Sequence, residues 1–273
     1  MTDPSTIERN ERVRTRLGAL RIRRIGAGPM TVLWPSMFVD SSTWDSLIPE
    51  LDLDREYVLV DGPGLGRSDA LLRRSTITEA ADAAVDLLDG LGAAGPVDWV
   101  GNAFGGHVGY KLAAMPGVLR SLVAISAPVE RITQAQRAQI NLLLPLLRLA
   151  GPISPVRDAV VGAMLTDASA HDERIRRIVV ESLERPSRRS MTNALRSFIL
   201  ERVDVTAELA AIGVPCLYIA SDDRGDWSED EALQAAARTP NATAVTVQGA
   251  RTLIPLEQPA VVADHLRSFW ASL

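Results

Sequence analysis

Apolar residues along this chain follow two spacings, and the change from one to the other predicts strands that alternate with helices. Strands buried on both faces of a sheet read as short continuous apolar runs, and such runs occupy residues 30–34, 57–60, 119–126 and 214–220. Apolar residues recur at helical spacing in the stretches 76–91, 228–237 and 259–270. Strands and helices in alternation predict a parallel sheet with right-handed crossovers.

Three further stretches complete the predicted sheet. Residues 13–25 alternate between apolar and polar positions and are broken by Gly18, which predicts an antiparallel hairpin at one edge. Residues 242–247 predict the last strand. After the first buried strand, residues 44–51 predict a short helix whose N-cap is Ser41, Ser42 or Thr43.

The pattern changes after Pro128. Residues 129–203 contain no convincing strand, only helical stretches separated by proline, glycine and serine. We therefore predict a core formed by residues 11–128 and 204–273, into which residues 129–203 insert as a helical lid over the carboxyl edge of the sheet. We expect this lid to be the most mobile part of the chain.

A glycine-rich stretch marks a sharp turn from strand to helix. The apolar run that begins at Val97 ends in Gly-Asn-Ala-Phe-Gly-Gly, and helix-compatible residues follow directly. A turn of this kind holds its central residue at a strained backbone angle and needs small residues two positions before and two after it. Gly101 and Gly105 meet this requirement, and Ala103 lies at the apex.

In the order and spacing of its motifs, the chain resembles the α/β-hydrolase family from about residue 13 to residue 273. The motifs are the Gly-x-Ala-x-Gly elbow, Val-Leu-Trp-Pro at 32–35, Asp-Gly-Pro-Gly-Leu-Gly-Arg-Ser at 61–68, Ala-Ser-Asp-Asp at 220–223 and the closing segment 249–259. The resemblance implies an α/β fold with a mostly parallel, twisted sheet of about eight strands, helices on both faces and a helical lid.

The resemblance also assigns catalytic roles by position. The family mechanism uses a serine at the elbow, a histidine after the last strand and an acid after the preceding strand. Here Ala103 occupies the serine position, Thr252 the histidine position and Asp223 the acid position. Because the nucleophile and its base are both replaced, we expect no serine-hydrolase activity. Trp34 and Pro35 stand where the family usually has His-Gly, and departures at several positions of one site favour native divergence over a single substitution.

Two other side chains are candidates for acid–base chemistry. His107 lies one turn into the helix after the elbow, where it is either a packed, hydrogen-bonded side chain or an alternative base. Asp223 is a base if a dry pocket raises its pKa, or else it pairs with Arg251 or Arg224.

The resemblance implies a site for a carbonyl oxygen even without the nucleophile. In this fold, backbone N–H groups of the residue after the apex and of the loop after the third strand form the oxyanion hole. Those groups belong to Phe104 and to Ser36 or Met37, while Trp34 is a candidate both for an apolar wall and for the core. The full set of binding candidates is Phe104, Ser36, Met37, Trp34, Phe38 and Asn102.

The composition of the chain limits which binding partners and which cellular compartment we expect. The chain of 273 residues has a formal net charge of -5, which argues against nucleic acid or an anionic membrane as its main partner. The single cysteine, Cys216, excludes an intramolecular disulfide and a cysteine-based metal cluster. We expect no cofactor and no metal. Residues 1–15 are polar and no apolar run is long enough to span a membrane, so we expect a cytoplasmic protein.

Three functions are compatible with the sequence. In the first, the chain binds a small, apolar carbonyl compound, either as a pseudoenzyme or to promote a reaction that needs no serine. In the second, it is a hydrolase whose nucleophile is Ser36, Ser126 or a water activated by Asp223. In the third, its lid is a protein-interaction surface. The retained elbow glycines favour a maintained pocket, whereas the sequence names neither the ligand nor the oligomeric state.

Overall fold

The structure is a computed structural model that describes residues 8–51, 54–223, 225 and 227–273. Within this part of the chain the strands are β1 (Arg9–Thr15), β2 (Gly18–Gly26), β3 (Met30–Trp34), β4 (Glu56–Val60), β5 (Val97–Asn102), β6 (Leu119–Ile125), β7 (Cys216–Ser221) and β8 (Ala242–Val247). They form one sheet in the order β1-β2-β4-β3-β5-β6-β7-β8. The pairs β1–β2 and β2–β4 are antiparallel, and the other neighbours are parallel. The edge hairpin and the parallel sheet predicted from the sequence are therefore confirmed.

Each central strand sends alternate side chains to opposite faces of the sheet. Val32 of β3 lies between Val58 and Trp99 of its two neighbours, and all three belong to one apolar cluster. The next residue, Leu33, lies between Leu59 and Val100, which belong to a second cluster on the other face. The period of two along a strand thus divides one continuous apolar run between two cores.

Helices cover both of these faces. In the described residues they are α1 (Ile77–Gly90), α2 (Phe104–Ala113), α3 (Gln134–Ala150), α4 (Ser154–Met164), α5 (Asp167–His171), α6 (Glu173–Glu184), α7 (Arg188–Leu195), α8 (Glu229–Ala237), α9 (Ile254–Glu257) and α10 (Pro259–Ala271). Helices α1 and α2 pack into the first cluster and α10 packs into the second. The α/β-hydrolase architecture expected from the resemblance is confirmed.

The prediction of one short helix at 44–51 is wrong. The chain instead makes two 3₁₀ turns, Ser41–Trp44 and Ile48–Glu50. Pro49 has no N–H to donate, so one continuous helix through it would lose a hydrogen bond. The cap is also shifted, because the Asp40 carboxylate accepts a hydrogen bond from the Ser42 N–H at 3.0 Å.

Residues between β6 and β7 form helices α3 to α7, followed by a π-helical turn at Arg196–Leu200. We call residues 134–200 the helical insertion. The segments that lead into and out of the helical insertion are joined to each other, because the Val205 N–H donates to the Val129 carbonyl at 2.9 Å. That it moves as a lid stays a prediction. Among the described residues, no helix is long and apolar enough to cross a membrane.

We predict that α3 exchanges its amide hydrogens faster than the central strands. Of its 17 residues only Leu144 and Leu147 are buried, whereas every residue of β5 is buried. Few buried apolar contacts lower the free energy of local opening. Hydrogen exchange followed by mass spectrometry measures the difference directly. Protection in α3 equal to that in β5 would contradict the prediction.

Candidate functional site

The elbow between β5 and α2 has the strained geometry that its glycines predict. Ala103 has φ 45° and ψ -102°, a conformation that costs an L-residue about 1 kcal/mol or more. Its N–H donates to the Ile125 carbonyl at 2.7 Å, and its carbonyl accepts from the His107 N–H at 3.0 Å. The apex is therefore held from the β6 side and from its own helix.

Close backbone contacts explain why small residues flank the apex. A β-carbon added to Gly101 would lie 2.2 Å from the carbonyl carbon and oxygen of Gly105. One added to Gly105 would lie 2.1 Å from the carbonyl oxygen of Trp34, at the end of β3. No side chain fits at either position, because real β-carbon contacts are longer than 3.0 Å. The Trp99 indole N–H also donates to the Gly105 carbonyl at 2.9 Å and fixes the first turn of α2 to β5.

A cavity of about 550 Å³ lies beside the apex, and Ala103 forms part of its wall. Its size is in the range of small-molecule sites in proteins. Most of the wall is apolar and comes from the helical insertion: Ile140, Leu143, Leu144 and Leu147 of α3, Val156, Ala159, Val160 and Met164 of α4, and Leu195, Phe198 and Ile199 near the π-helical turn. Polar and charged groups are a minority of the lining.

Four of the predicted binding residues line this cavity: Phe104, Ser36, Met37 and Phe38. Phe104 is the first residue of α2, so its N–H has no acceptor within the helix. The tight contact between Gly105 and Trp34 holds the β3 loop against the start of that helix. The two segments that carry the expected backbone donors thus border one cavity, as the resemblance implies for an oxyanion hole.

Trp34 and Asn102, two of the predicted binding residues, are not among the residues that line the cavity. For Trp34 the packing favours the core alternative over the apolar wall. The Trp34 side chain is fully buried and stacks on Trp99 with ring centroids 5.3 Å apart. The Asn102 amide donates to the Ile125 carbonyl at 3.1 Å and to the Thr252 carbonyl at 2.8 Å. Both side chains point into the packed core because each has its partners there.

His107 lines the cavity as a neutral, hydrogen-bonded side chain. Its Nε2 lies 2.9 Å from the Pro128 carbonyl oxygen, which accepts only, so Nε2 carries the proton. Burial and the nearby positive charge of Arg202 lower the pKa of His107 to about 3. A group with so low a pKa is a weak base at neutral pH. The geometry therefore favours the packed alternative.

Asp223 pairs with Arg251. Their closest oxygen and nitrogen atoms are 2.8 Å apart, and the Arg251 side chain is only 5% exposed. Arg251 also lies 3.3 Å from Asp167 of α5 and donates to the Gly162 carbonyl in α4. The other candidate partner, Arg224, lies outside the described residues. The acid that the resemblance assigns to orienting a histidine holds an arginine instead.

Thr252 lines the cavity and is joined to the helical insertion. Its hydroxyl donates to the Ala163 carbonyl at 3.2 Å, and its N–H and that of Leu253 both donate to the Met164 carbonyl at 3.1 Å. Ser126 lies off the cavity, with its hydroxyl 3.4 Å from the Arg251 carbonyl. The loop after β8 therefore links the sheet to α4.

Two arginines of the cavity wall, Arg202 and Arg251, were missed as lining residues. Arg251 has a sequence signal, since it directly precedes the histidine position. Arg202 has none, because its place in the wall depends on how the chain leaves the helical insertion.

Comparisons with known proteins agree with this architecture. A model of the Alpha/beta hydrolase family matches residues 31–265. Among curated proteins, Polyketide synthase ThaQ from Burkholderia thailandensis is 27% identical over an alignment of 268 positions that covers 89% of this chain. The chain spans only 12% of the length of that relative.

Solved structures resemble the chain over nearly its whole length. A thermophilic esterase from Thermogutta terrifontis is 21% identical, with 97% of this chain and 98% of that chain covered and a TM-score of 0.86. The enol-lactonase from Burkholderia xenovorans LB400 is 18% identical, with 96% and 100% covered and a TM-score of 0.86. At these identities the likeness establishes the fold alone.

We predict that Ala103→Gly leaves the free energy of unfolding unchanged or raises it by up to about 1 kcal/mol, because glycine adopts positive φ without the strain. Gly101→Ala is the matched control and should destabilise strongly, since its β-carbon would overlap Gly105. Urea unfolding midpoints measure both. An Ala103→Gly midpoint clearly below that of the parent would mean that the apex is not strained.

We predict that Arg251→Met lowers the free energy of unfolding by about 2 kcal/mol or more, since it removes the buried cation that pairs with Asp223 and the link to α4. Arg157→Met is the control, because Arg157 pairs with Glu184 at the surface of the helical insertion and exposed pairs contribute little. Equal effects of the two substitutions in thermal or urea unfolding would count against a structural role for Arg251.

Proposed function

The chain belongs to the α/β-hydrolase family, and from that premise we propose that it is a member without serine-hydrolase chemistry. It binds a small, largely apolar carbonyl compound in the cavity beside Ala103 and either holds it without reaction or promotes a step that needs no serine. The observation that carries the proposal is the methyl group of Ala103 at the apex of the elbow, in the cavity wall.

The base position supports the same proposal. A histidine at position 252 would need the Asp223 carboxylate to fix its tautomer and stabilise its cation. That carboxylate is paired with Arg251. Thr252 has no basic nitrogen, and its hydroxyl is engaged with the Ala163 carbonyl. His107 carries its proton on the nitrogen that faces Pro128 and is a poor replacement.

The shape of the cavity supports a carbonyl ligand with an apolar body. Side chains of α3 and α4 supply apolar surface, which favours burial of hydrocarbon at about 25 cal/mol for each Å² removed from water. Phe104 and Ser36, whose backbone N–H groups are the expected donors, line the same cavity. The names of the two similar structures, an esterase and a lactonase, belong to proteins that act on carbonyl compounds, which is consistent with this ligand class.

The alternatives to this proposal are a relocated nucleophile, a water activated by Asp223, and a protein-interaction role for the helical insertion. Of the proposed relocated nucleophiles, Ser36 lines the cavity and is the strongest candidate, whereas Ser126 is turned to the Arg251 carbonyl. Asp223 is a weak candidate for activating water because its charge is compensated by Arg251. A protein-interaction role for the helical insertion stays a prediction.

We predict that the protein does not react with a serine-directed fluorophosphonate and does not hydrolyse short p-nitrophenyl esters. Ala103→Ser alone should also stay unlabelled, because the new hydroxyl lacks a base. Ala103→Ser/Thr252→His should label slowly at the substituted apex, since both missing groups are then present while Arg251 still competes for Asp223. Labelling is read by mass spectrometry of the tryptic peptides.

Heat-denatured protein sets the background for this experiment. Labelling of the parent protein at Ser36 would replace the proposal with a relocated nucleophile. Labelling of the Ala103→Ser variant at the apex would mean that an effective base is already present, and the supporting argument from position 252 would be wrong.

A further inference from the structure

One wall of the cavity carries a buried positive charge. Arg202 follows the π-helical turn. Its backbone N–H donates to the Ile199 carbonyl at 3.1 Å, which fixes the main chain at this point. The residue is only 9% exposed and lines the cavity. Placing a guanidinium in so apolar a region is unfavourable unless negative or polar groups come close to it.

The cations of the cavity lining are buried, whereas its carboxylate is exposed at the surface. The positive charge of Arg202 acts on His107, which also lines the cavity and stays neutral. Arg251 is a second buried cation of the wall and is paired with Asp223. The acidic residue of the lining, Asp158, is exposed and lies 3.0 Å from Arg176 on the outer side of the helical insertion. The charged residues of the lining are thus two buried cations and one exposed carboxylate, and this lining favours an anion over a cation.

The remainder of the wall requires an apolar ligand body. Leu143, Leu144 and Leu147 of α3 face Val156 and Val160 of α4 across the same space as Arg202. A ligand that fills this space and also meets the arginine must combine hydrocarbon with an anionic end. A carboxylate fits a guanidinium best, because two of its oxygens can accept parallel N–H bonds.

We infer that the cavity takes an amphipathic carboxylate, a small apolar chain or ring that ends in a carboxyl group, and that Arg202 holds this group. The inference rests on the proposed function and names its ligand class. A guanidinium has five N–H donors, so Arg202 binds the ligand alongside the contacts that it makes within the protein. Uncharged carbonyl compounds of the same shape fill the apolar wall but lack this bond.

The test compares three probes of one chain length: octanoate, its neutral isostere octanamide, and methyl octanoate. Calorimetric titration of the parent protein should give a dissociation constant for octanoate about tenfold or more below that for octanamide, the effect of one hydrogen bond to a charged group. Arg202→Gln should remove this difference, and Arg202→Lys should keep part of it. Arg189→Gln is the control, because Arg189 is exposed on α7 and does not line the cavity.

The outcomes separate this inference from the proposed function. If all three probes bind the parent protein equally well, the cavity is a ligand site but the carboxylate inference is overturned. If octanoate keeps its advantage in a folded Arg202→Gln variant, another group holds the carboxylate and the role of Arg202 is wrong. If none of the probes binds, the proposed ligand class fails as well. Circular dichroism of each variant confirms folding, and the comparison of probes on the parent protein needs no substitution.

Discussion

The site depends on one close contact, the approach of the first turn of α2 to the end of β3. The position of a β-carbon on Gly105 is 2.1 Å from the Trp34 carbonyl oxygen, so the two backbones meet where no side chain can stand between them. This contact places the N–H of Phe104 and the loop at Ser36 on the wall of one cavity. In the same turn Ala103 has a positive φ, at the point where the chain reverses direction between β5 and α2.

The loop after β8 serves a structural purpose in this protein. Arg251 reaches Asp223 beyond β7, Asp167 of α5 and the Gly162 carbonyl of α4, while Thr252 bonds to the carbonyls of α4. A planar guanidinium with several donors is suited to joining three segments at once. A histidine at position 252 would compete with Arg251 for the same carboxylate. Introducing a histidine at position 252 alone would therefore leave Arg251 in place as its competitor for Asp223.

The sequence predicted the sheet well because parallel strands covered on both faces read as continuous apolar runs, as in 30–34 and 57–60. It failed at 44–51, where Pro49 interrupts the ladder of hydrogen bonds. It predicted the apex, the Asp223–Arg251 alternative and four cavity residues, because these follow from positions in a motif. It left Trp34 open between the cavity wall and the core, since the direction of a side chain at a strand end depends on packing. It missed Arg202, whose position depends on the path of the whole helical insertion.

Backbone strain gives an argument about the cavity that does not use any side-chain chemistry. Of the described residues other than glycine, those with positive φ are Phe38, Ala103 and Ser126, and they follow β3, β5 and β6, three neighbouring strands. Each conformation costs about 1 kcal/mol or more and persists where the surrounding structure imposes it, commonly at binding sites. Ala103 and Phe38 line the cavity and Ser126 contacts the loop of Thr252. A chain that needed only a stable scaffold would gain by relaxing these turns, so the strain is an argument for the proposed ligand site that is independent of the side chains around it.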